Sequence, residues 1–226
     1  MANQEHVGKK PARTLTRWGK LASIFSPRTD KKLHALIASL CVLFEDLRIE
    51  MLAQAADDLG RLDTSGKHLR ELYFLRRSMA TIFEFASVLE DLDGLATFHP
   101  IRASFSGRAA HIWVRSLKYF GKQRQYISRM RHNVGGHFGE HAAGLSIQNL
   151  LPDAIGRLEV AFYDRGGGAK LFFAGEIAAT AVLHHVTGRT PQAKARKLMR
   201  HALVAYRHAS WAVDCVTVNY LWDRFG

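Results

Sequence analysis

The chain of 226 residues has a mass of 25.4 kDa and a formal net charge of +12, with a sequence pI near 10. This length is enough to bury a sizeable core, and the basic balance attracts polyanions. Only Cys41 and Cys215 occur, which excludes a disulfide framework, and no apolar run reaches the ~18–20 residues of a membrane span. The N-terminus has no apolar signal core, so the sequence predicts a cytoplasmic protein without a membrane partner.

A basic segment opens the chain. Residues 1–32 carry eight Lys/Arg and two acidic residues, and their net charge of +6 is half of the total. We expect residues 1–29 to form a flexible tail that attracts RNA, and the alternative is a solvated tail without a partner. Apolar residues from Trp18 to Phe25 indicate that part of the tail docks on the body. The candidate nucleic-acid-binding residues are Lys9, Lys10, Arg13, Arg17 and Lys20.

Residues 30–226 are predicted to be a single helical domain. Apolar residues recur at helical spacing in its first part. The first predicted helix runs from Leu33 to its end at Asp57-Asp58, and the second has its apolar stripe over 72–89 and stops near Asp93-Gly94. The third and fourth cover 102–132 and 142–151. Polar turn residues separate the first two helices, and Pro100 is expected to exclude a helix across 97–100.

The periodicity changes after Pro152. Apolar residues on both sides of Asp164-Arg165-Gly166-Gly167-Gly168 predict a β-hairpin within 157–174, with the glycines in its turn. Helical spacing resumes over 174–186. Thr190-Pro191 then opens a long last helix, because threonine caps a helix and proline fits its first turn. The predicted class is mainly α: a helical bundle with one small β-hairpin insertion.

The densest chemical signal, residues 129–141, lies at the end of the third predicted helix. It combines two arginines, three histidines, an asparagine, a glutamate and three glycines. Arginine can hold a phosphate in a charge-assisted fork, and histidine can carry a proton near neutral pH. The glycine pair at 135–136 lets the backbone turn so that the two side chains converge. This combination favours phosphodiester chemistry or phosphate binding.

The segment Arg131-His-Asn-Val-Gly-Gly-His137 resembles the Arg-(four to six residues)-His motif of HEPN domains, an α-helical nucleotide-binding family. His132 stands where a polar residue commonly follows the arginine. The resemblance covers residues 30–151 and leaves 152–226 as a hairpin with added C-terminal helices. It implies a metal-independent ribonuclease without a cofactor, or a non-catalytic RNA-binding relative. It also implies a homodimer in which both motifs face one cleft.

Context separates the Arg–His pairs that have this spacing, which are Arg28–His34, Arg61–His68, Arg131–His137 and Arg196–His201. Arg28–His34 lies where the tail ends, and Arg61–His68 spans a polar turn. In the last, five residues of continuous helix put the two side chains about 140° apart. Only Arg131–His137 follows a long helix and contains a glycine break. The alternative to a functional site is that Arg129 and Arg131 are basic residues at the end of a helix, where the helix dipole favours positive charge.

The resemblance gives these residues roles in RNA cleavage. His137 accepts the 2′-OH proton, and Arg131 stabilises charge on the phosphoryl oxygens, so that cleavage leaves a cyclic phosphate. Glu84, interpreted as a buried carboxylate that needs a partner, either orients Arg131 or pairs with Arg76 or Arg77. The candidate supporting residues are Glu84, Asn133, His132 and Arg129. No metal site is expected, because the histidines of this segment have no cysteine nearby.

Two other interpretations stay open, a non-catalytic RNA- or partner-binding module and a structural or regulatory helical protein. Whether a protein inhibitor silences the activity is also open. The predicted homodimer would join two Arg131–His137 sets across a two-fold axis. Phe120, Tyr126 and Phe138 are its candidate contacts, and the alternative is that these rings fill the monomer's own core.

Overall fold

Long helices dominate the computed structural model, which describes residues 17–18, 20, 24–25, 30–55, 64–131, 140–150, 158–163, 166–171, 173–184 and 186–225. The helices are α1 Lys31–Ala55, α2 Thr64–Asp93, α3 His99–Ala103, α4 Gly107–Met130, α5 Glu140–Gln148, α6 Phe173–His184 and α7 Pro191–Val216. The predicted mainly α class is confirmed. Within the described ranges, no helix combines the length and the apolar character that crossing a membrane requires.

Two strands lie inside the span predicted to carry a hairpin. β1, Leu158–Tyr163, pairs antiparallel with β2, Gly166–Leu171, and Tyr163 lies opposite Gly166. The three glycines that were predicted to form the turn belong to β2 instead. Without a Cβ, glycine adopts extended backbone as readily as turn conformations, so a glycine run does not by itself fix the position of a turn.

The core forms where α2, α4 and α7 meet α1. α1 runs antiparallel to α2, since Glu50 contacts Thr81 whereas Gln54, further along α1, contacts Glu71. α4 packs on α2 and α7, and α7 also packs on α1 and α2. Large side chains with almost no exposed surface fill the centre, among them Ile37, Leu40, Phe85, Leu89, Phe98, Trp113 and Phe120. Their burial drives the assembly of the four helices.

The third predicted helix begins earlier than expected and is broken. A 3₁₀ turn at Ala96–Phe98 leads directly into α3, and Pro100 lies in the first turn of that helix. The expectation that 97–100 is not helical was therefore wrong. A first-turn residue needs no backbone N–H for an intrahelical bond, so proline is tolerated there. α4 then begins afresh behind Ser106, whose Oγ accepts a hydrogen bond from the Ala109 N–H at 3.3 Å.

Both ends of the last helix are anchored. Thr190 Oγ1 accepts a hydrogen bond from the Ala193 N–H at 3.1 Å, which confirms the predicted threonine cap. Beyond the helix, Arg224 donates a 3.0 Å hydrogen bond to the carbonyl of Ile24, whose side chain is fully buried. Trp18 is 87% exposed. Part of the N-terminal segment thus docks on the C-terminal turns, through Ile24.

Candidate nucleic-acid interface

Two neighbouring helices concentrate positive charge. α4 carries six Lys/Arg and no carboxylate, and α7 carries five, with a single carboxylate, Asp214, in its last turn. Arg124 forms an ion pair with Glu90 of α2. The exposed cations of the two helices are Arg108, Arg115, Lys118, Lys122, Arg124, Arg129, Arg196, Lys197, Arg200 and Arg207. Because α4 and α7 pack against each other, their charges add up over one part of the surface.

Two separate openings lie along α7: one of about 330 Å³ lies beside its first turn, and the larger one, about 530 Å³, lies between α4 and α7. We call this larger opening the α4–α7 groove. α4 contributes an aromatic and an amide side chain to it, and α7 contributes three cations and an imidazole. Its lining residues are Tyr119, Gln123, Ala193, Arg196, Lys197, Arg200, His201 and Val204.

Tyrosine side chains connect the two walls of the groove. The Tyr119 hydroxyl donates to the His201 carbonyl at 3.4 Å, and the Tyr126 ring lies 4.8 Å from the His201 ring. Burial raises the pKa of both tyrosines to about 12, so both hydroxyls stay protonated and neutral near pH 7. The Tyr126 hydroxyl is buried and has no hydrogen-bond partner among the described residues.

Among the side chains that line the groove, His201 is the one whose neutral form can accept a proton near neutral pH. Burial lowers its pKa, and the positive charge of Lys197 lowers it further. Lys197 itself donates to the Thr187 hydroxyl. His201 is therefore a neutral imidazole at pH 7, with one nitrogen able to accept a proton or a hydrogen bond.

A buried histidine, His208, packs against the groove residue Tyr119. The His208 ring stacks on Tyr119 with 4.3 Å between centroids and 10° between planes. Its Nδ1 lies 3.3 Å from the Ser116 hydroxyl of α4. Outside this pair, Arg115 and Arg207 lie 5.3 and 5.1 Å from the centre of the Trp211 ring. The stack fixes the orientation of Tyr119 and joins α4 to α7.

Of the predicted catalytic pair Arg131–His137, the structure describes only Arg131. Arg131 follows α4 directly, as the sequence predicted, and its guanidinium lies 4.8 Å above the Phe83 ring. This is a cation–π distance. Arg129 is exposed in the last turn of α4. His132, Asn133 and His137 fall within 132–139, outside the described residues, so the distance from Arg131 to His137 is not defined.

Glu84 is exposed, so its interpretation as a buried carboxylate was wrong. The buried positions of α2 around it are Ile82, Phe85 and Leu89, and Glu84 falls on the other side of the helix. The buried carboxylate of this helix pair is Glu50 of α1, which accepts a 3.0 Å hydrogen bond from Thr81 and lies 3.6 Å from Arg77. Apolar neighbours in the sequence therefore do not show that a residue is buried, because consecutive residues of a helix point in different directions.

Two of the three aromatic residues predicted as dimer contacts, Phe120 and Tyr126, pack within the monomer. Phe120 is 1% exposed and packs 5.7 Å from Phe85, so it has no surface to offer a second chain. Tyr126 is half-buried against His201. Phe138 lies outside the described residues. The alternative given with that prediction, in which these rings fill the core, holds for Phe120.

The predicted tail cations have different surroundings. Arg17 donates a 2.7 Å hydrogen bond to the Trp222 carbonyl, and its guanidinium lies 4.2 Å from the centre of the Trp222 ring. Lys20 is exposed. Lys9, Lys10 and Arg13 lie outside the described residues. Arg17 is thus engaged with the C-terminal turns.

Sequence reasoning set aside a pair that the structure brings to one groove. Arg196 and His201 were discounted because five helical residues separate their directions by about 140°. Both nevertheless line the α4–α7 groove, because the groove extends along and across α7 and the arginine side chain is long. A signal was present in the sequence: no Asp or Glu occurs between Asp93 and Glu140, or between Glu176 and Asp214.

Neither a metal centre nor a known relative identifies the site. In the part of the chain that the structure describes, no group of three or more His, Cys, Asp or Glu side chains is placed to hold a metal ion. Comparison with protein-family models, with curated proteins and with solved structures finds no match. The resemblance to HEPN domains therefore depends on the Arg131–His137 motif and the helical character of the chain.

Proposed function

We propose that this protein binds single-stranded RNA in the α4–α7 groove. The observation that supports it is the pairing of two carboxylate-poor, cation-rich helices around one groove of about 530 Å³. Neutralised phosphates release condensed counterions, and this release supplies most of the free energy of sequence-independent binding. Arg196 and Arg200 supply phosphate contacts in the groove.

The shape and the lining favour a single strand over a duplex. A protein that reads duplex DNA inserts a helix or a β-ribbon into the major groove, whereas α4 and α7 form a concave surface. Single-strand sites combine a positive groove with aromatic side chains. Tyr119, Gln123 and His201 put aromatic, amide and imidazole groups beside the cations. These groups can contact bases that are not paired.

Charge reversal in the groove tests the proposal. The variant is Arg196→Glu with Arg200→Glu, and the matched control is Lys31→Glu with Lys32→Glu on α1, where both lysines are exposed. Binding of a labelled single-stranded RNA is followed by fluorescence anisotropy over a salt series. We expect the groove variant to bind more than about tenfold more weakly, with a salt slope shallower by about 1.4 for two lost contacts.

The outcomes separate the alternatives. An equal loss in both double variants would show that net charge alone matters and would remove the groove from the proposal. Equal affinity for a duplex DNA of the same length would remove the single-strand claim. Absence of binding by the wild type at low salt would contradict the function itself and favour a structural or regulatory protein.

The second candidate function is metal-independent RNA cleavage, and the lowered pKa of His201 favours it. A neutral imidazole beside Arg196 and Arg200 has the parts needed to accept a 2′-OH proton and to stabilise a charged phosphate. The Arg131–His137 pair remains the motif-based alternative for the same reaction. In that version, the homodimer implied by the HEPN resemblance would join two Arg131 sites across a two-fold axis.

Cleavage of mixed RNA in EDTA distinguishes the two sites. Wild type is compared with His137→Ala and His201→Ala, and His111→Ala on the exposed side of α4 serves as the control. The variant that loses product, a fragment ending in a cyclic phosphate, identifies the base. Failure of the wild type to cleave would remove the catalytic proposal and leave the binding proposal untouched.

A further inference from the structure

Two arginines from neighbouring helices converge on one tryptophan ring. Arg207 and Trp211 are four residues apart on α7, which puts their side chains next to each other. Arg115 reaches the same ring from α4. Both guanidinium carbons lie within 5.3 Å of the ring centre. We call these three residues the Trp211 cluster, and it lies outside the residues that line the α4–α7 groove.

Two positive charges meet at this cluster. Across the described ranges of the chain, no carboxylate lies within ion-pairing distance of Arg115 or Arg207. Burial lowers the pKa of the adjacent His208 to about 4, and the charges of both arginines lower it further, so this imidazole is neutral at pH 7. Two like charges at one place favour an anion that carries more than one negative charge.

The tryptophan ring holds the arginines in a form that suits an oxyanion. A guanidinium that packs over an aromatic face keeps its N–H donors in its own plane, where they stay available to a ligand. A fork of such donors matches the oxygens of a phosphate group. Lysine would supply the charge without the fork. The chemistry of the cluster therefore fits a phosphate group that two guanidiniums hold together.

A row of cations joins the α4–α7 groove to the cluster. Along α7, Arg207 follows the groove residue Arg200 by seven residues, which is about 10 Å along the helix axis. α4 runs antiparallel to α7 at this place. Along α4, the exposed Lys122 and Lys118 lead to Arg115 at intervals of four and three residues. A polyanionic strand in the groove can therefore extend to the cluster.

A carboxylate ends this row on α7. Asp214 lies three residues beyond Trp211, is exposed, and is the single carboxylate of the helix. A strand that continued past the cluster along α7 would meet this negative charge. An internal phosphodiester carries one negative charge, whereas a phosphomonoester carries about −1.5 to −2 at pH 7. Both the two charges of the cluster and its place at the end of the row favour a terminal phosphate.

We propose that the Trp211 cluster binds the terminal phosphate of a single-stranded RNA whose chain lies in the α4–α7 groove. This inference rests on the proposed function and adds a preference for one kind of RNA end. Arg115 and Arg207 donate to the phosphate oxygens, and Trp211 keeps both side chains in place. Phosphates at the 5′ and the 3′ end share this chemistry, so the experiment distinguishes the two ends.

Fluorescence anisotropy with RNAs of one sequence measures the preference. Internally labelled strands carry a 5′ phosphate, a 3′ phosphate or two hydroxyl ends, and a hydroxyl-ended strand one nucleotide longer controls for the added charge. We expect the wild type to bind at least one phosphorylated strand more than about tenfold more tightly than either hydroxyl-ended strand. The preferred phosphate identifies the end of the RNA that lies at the cluster.

The double variant Arg115→Lys with Arg207→Lys tests the cluster itself. Lysine keeps both positive charges but loses the donor fork, so affinity for the phosphorylated strand should fall far more than affinity for the hydroxyl-ended strand. Measurable binding of the hydroxyl-ended strand also shows that the variant is folded. The control is Arg189→Lys, which changes an exposed arginine just before α7 and should keep the preference.

Three outcomes would overturn the proposal, and they differ in what they leave. Equal affinity of the wild type for phosphorylated and hydroxyl-ended strands would remove the terminal-phosphate site and leave RNA binding in the groove. A preference that the double lysine variant retains would place the phosphate at other residues. Absence of binding to every strand at low salt would remove the proposed function and this proposal together.

Discussion

Acid should destabilise this protein through one buried histidine. His208 is 4% exposed, and burial, with smaller effects from Arg115 and Arg207, lowers its pKa to about 4 from an ordinary value of 6.5. The groups that face the ring are the Ser116 hydroxyl and the rings of Tyr119, Phe120 and Trp211. None of them is a carboxylate that could stabilise an imidazolium.

The sign and size follow from linkage. The unfolded chain takes up a proton near pH 6.5, whereas folded His208 resists protonation until about pH 4, so stability falls as the pH falls between these values. Between pH 7.5 and pH 4.5, this single group should lower the free energy of unfolding by roughly 2–3 kcal/mol. That is a large part of the stability of a typical domain.

Urea unfolding followed by circular dichroism at the two pH values measures the effect. His208→Gln removes the ionisable group and keeps a polar atom for Ser116, so it should lose roughly 2–3 kcal/mol less than wild type between the two pH values. His111→Gln, on the exposed side of α4, is the control and should behave like wild type. An identical pH dependence in wild type and His208→Gln would refute the reasoning.

Three further predictions concern stability, each measured by urea unfolding. Glu50→Gln should raise stability at pH 7 and lose this gain toward acidic pH, because burial raises the pKa of Glu50 and its charged form is disfavoured in the fold. An equal gain at both pH values would contradict this. Asp93→Ala should cost about 1–3 kcal/mol, since the carboxylate accepts hydrogen bonds from buried Trp113 at 2.7 Å and from Arg102 at 2.6 Å, whereas Asp93→Asn should cost less. Thr190→Ala should cost about 1 kcal/mol through loss of the helix cap, and Thr190→Ser should restore it.

Local signals in the sequence predicted the helices well. The apolar stripe of the second predicted helix and its end near Gly94 agree with α2, and Thr190-Pro191 begins α7 as expected. These features depend on residues close together in sequence, which is why periodicity and caps detect them. Pro100 was misread because its effect depends on whether it falls in the first turn of a helix or later.

The site was harder to predict, because it depends on which helices become neighbours. Arg196 and His201 match the motif spacing in the sequence. No local sequence feature, however, indicates that α4 places Tyr119 and Gln123 beside them. Burial of Glu50 rather than Glu84 likewise follows from the packing of α1 on α2. The spacing of residues within one helix determines the directions of their side chains around its axis, but it does not show which other helix packs beside them.

The distribution of charge is the basis for proposing a polyanionic partner. Eleven of the twenty acidic residues fall within 45–93, which leaves the cations of α4 and α7 with few carboxylates of their own. Arg115 and Arg207 both lie against the Trp211 ring, so two like charges meet at one indole. The two like charges repel each other, while each is attracted to the ring. In the RNA complex proposed above, the phosphate chain would supply the missing negative charge, so the cations that repel one another in the free protein would strengthen that complex.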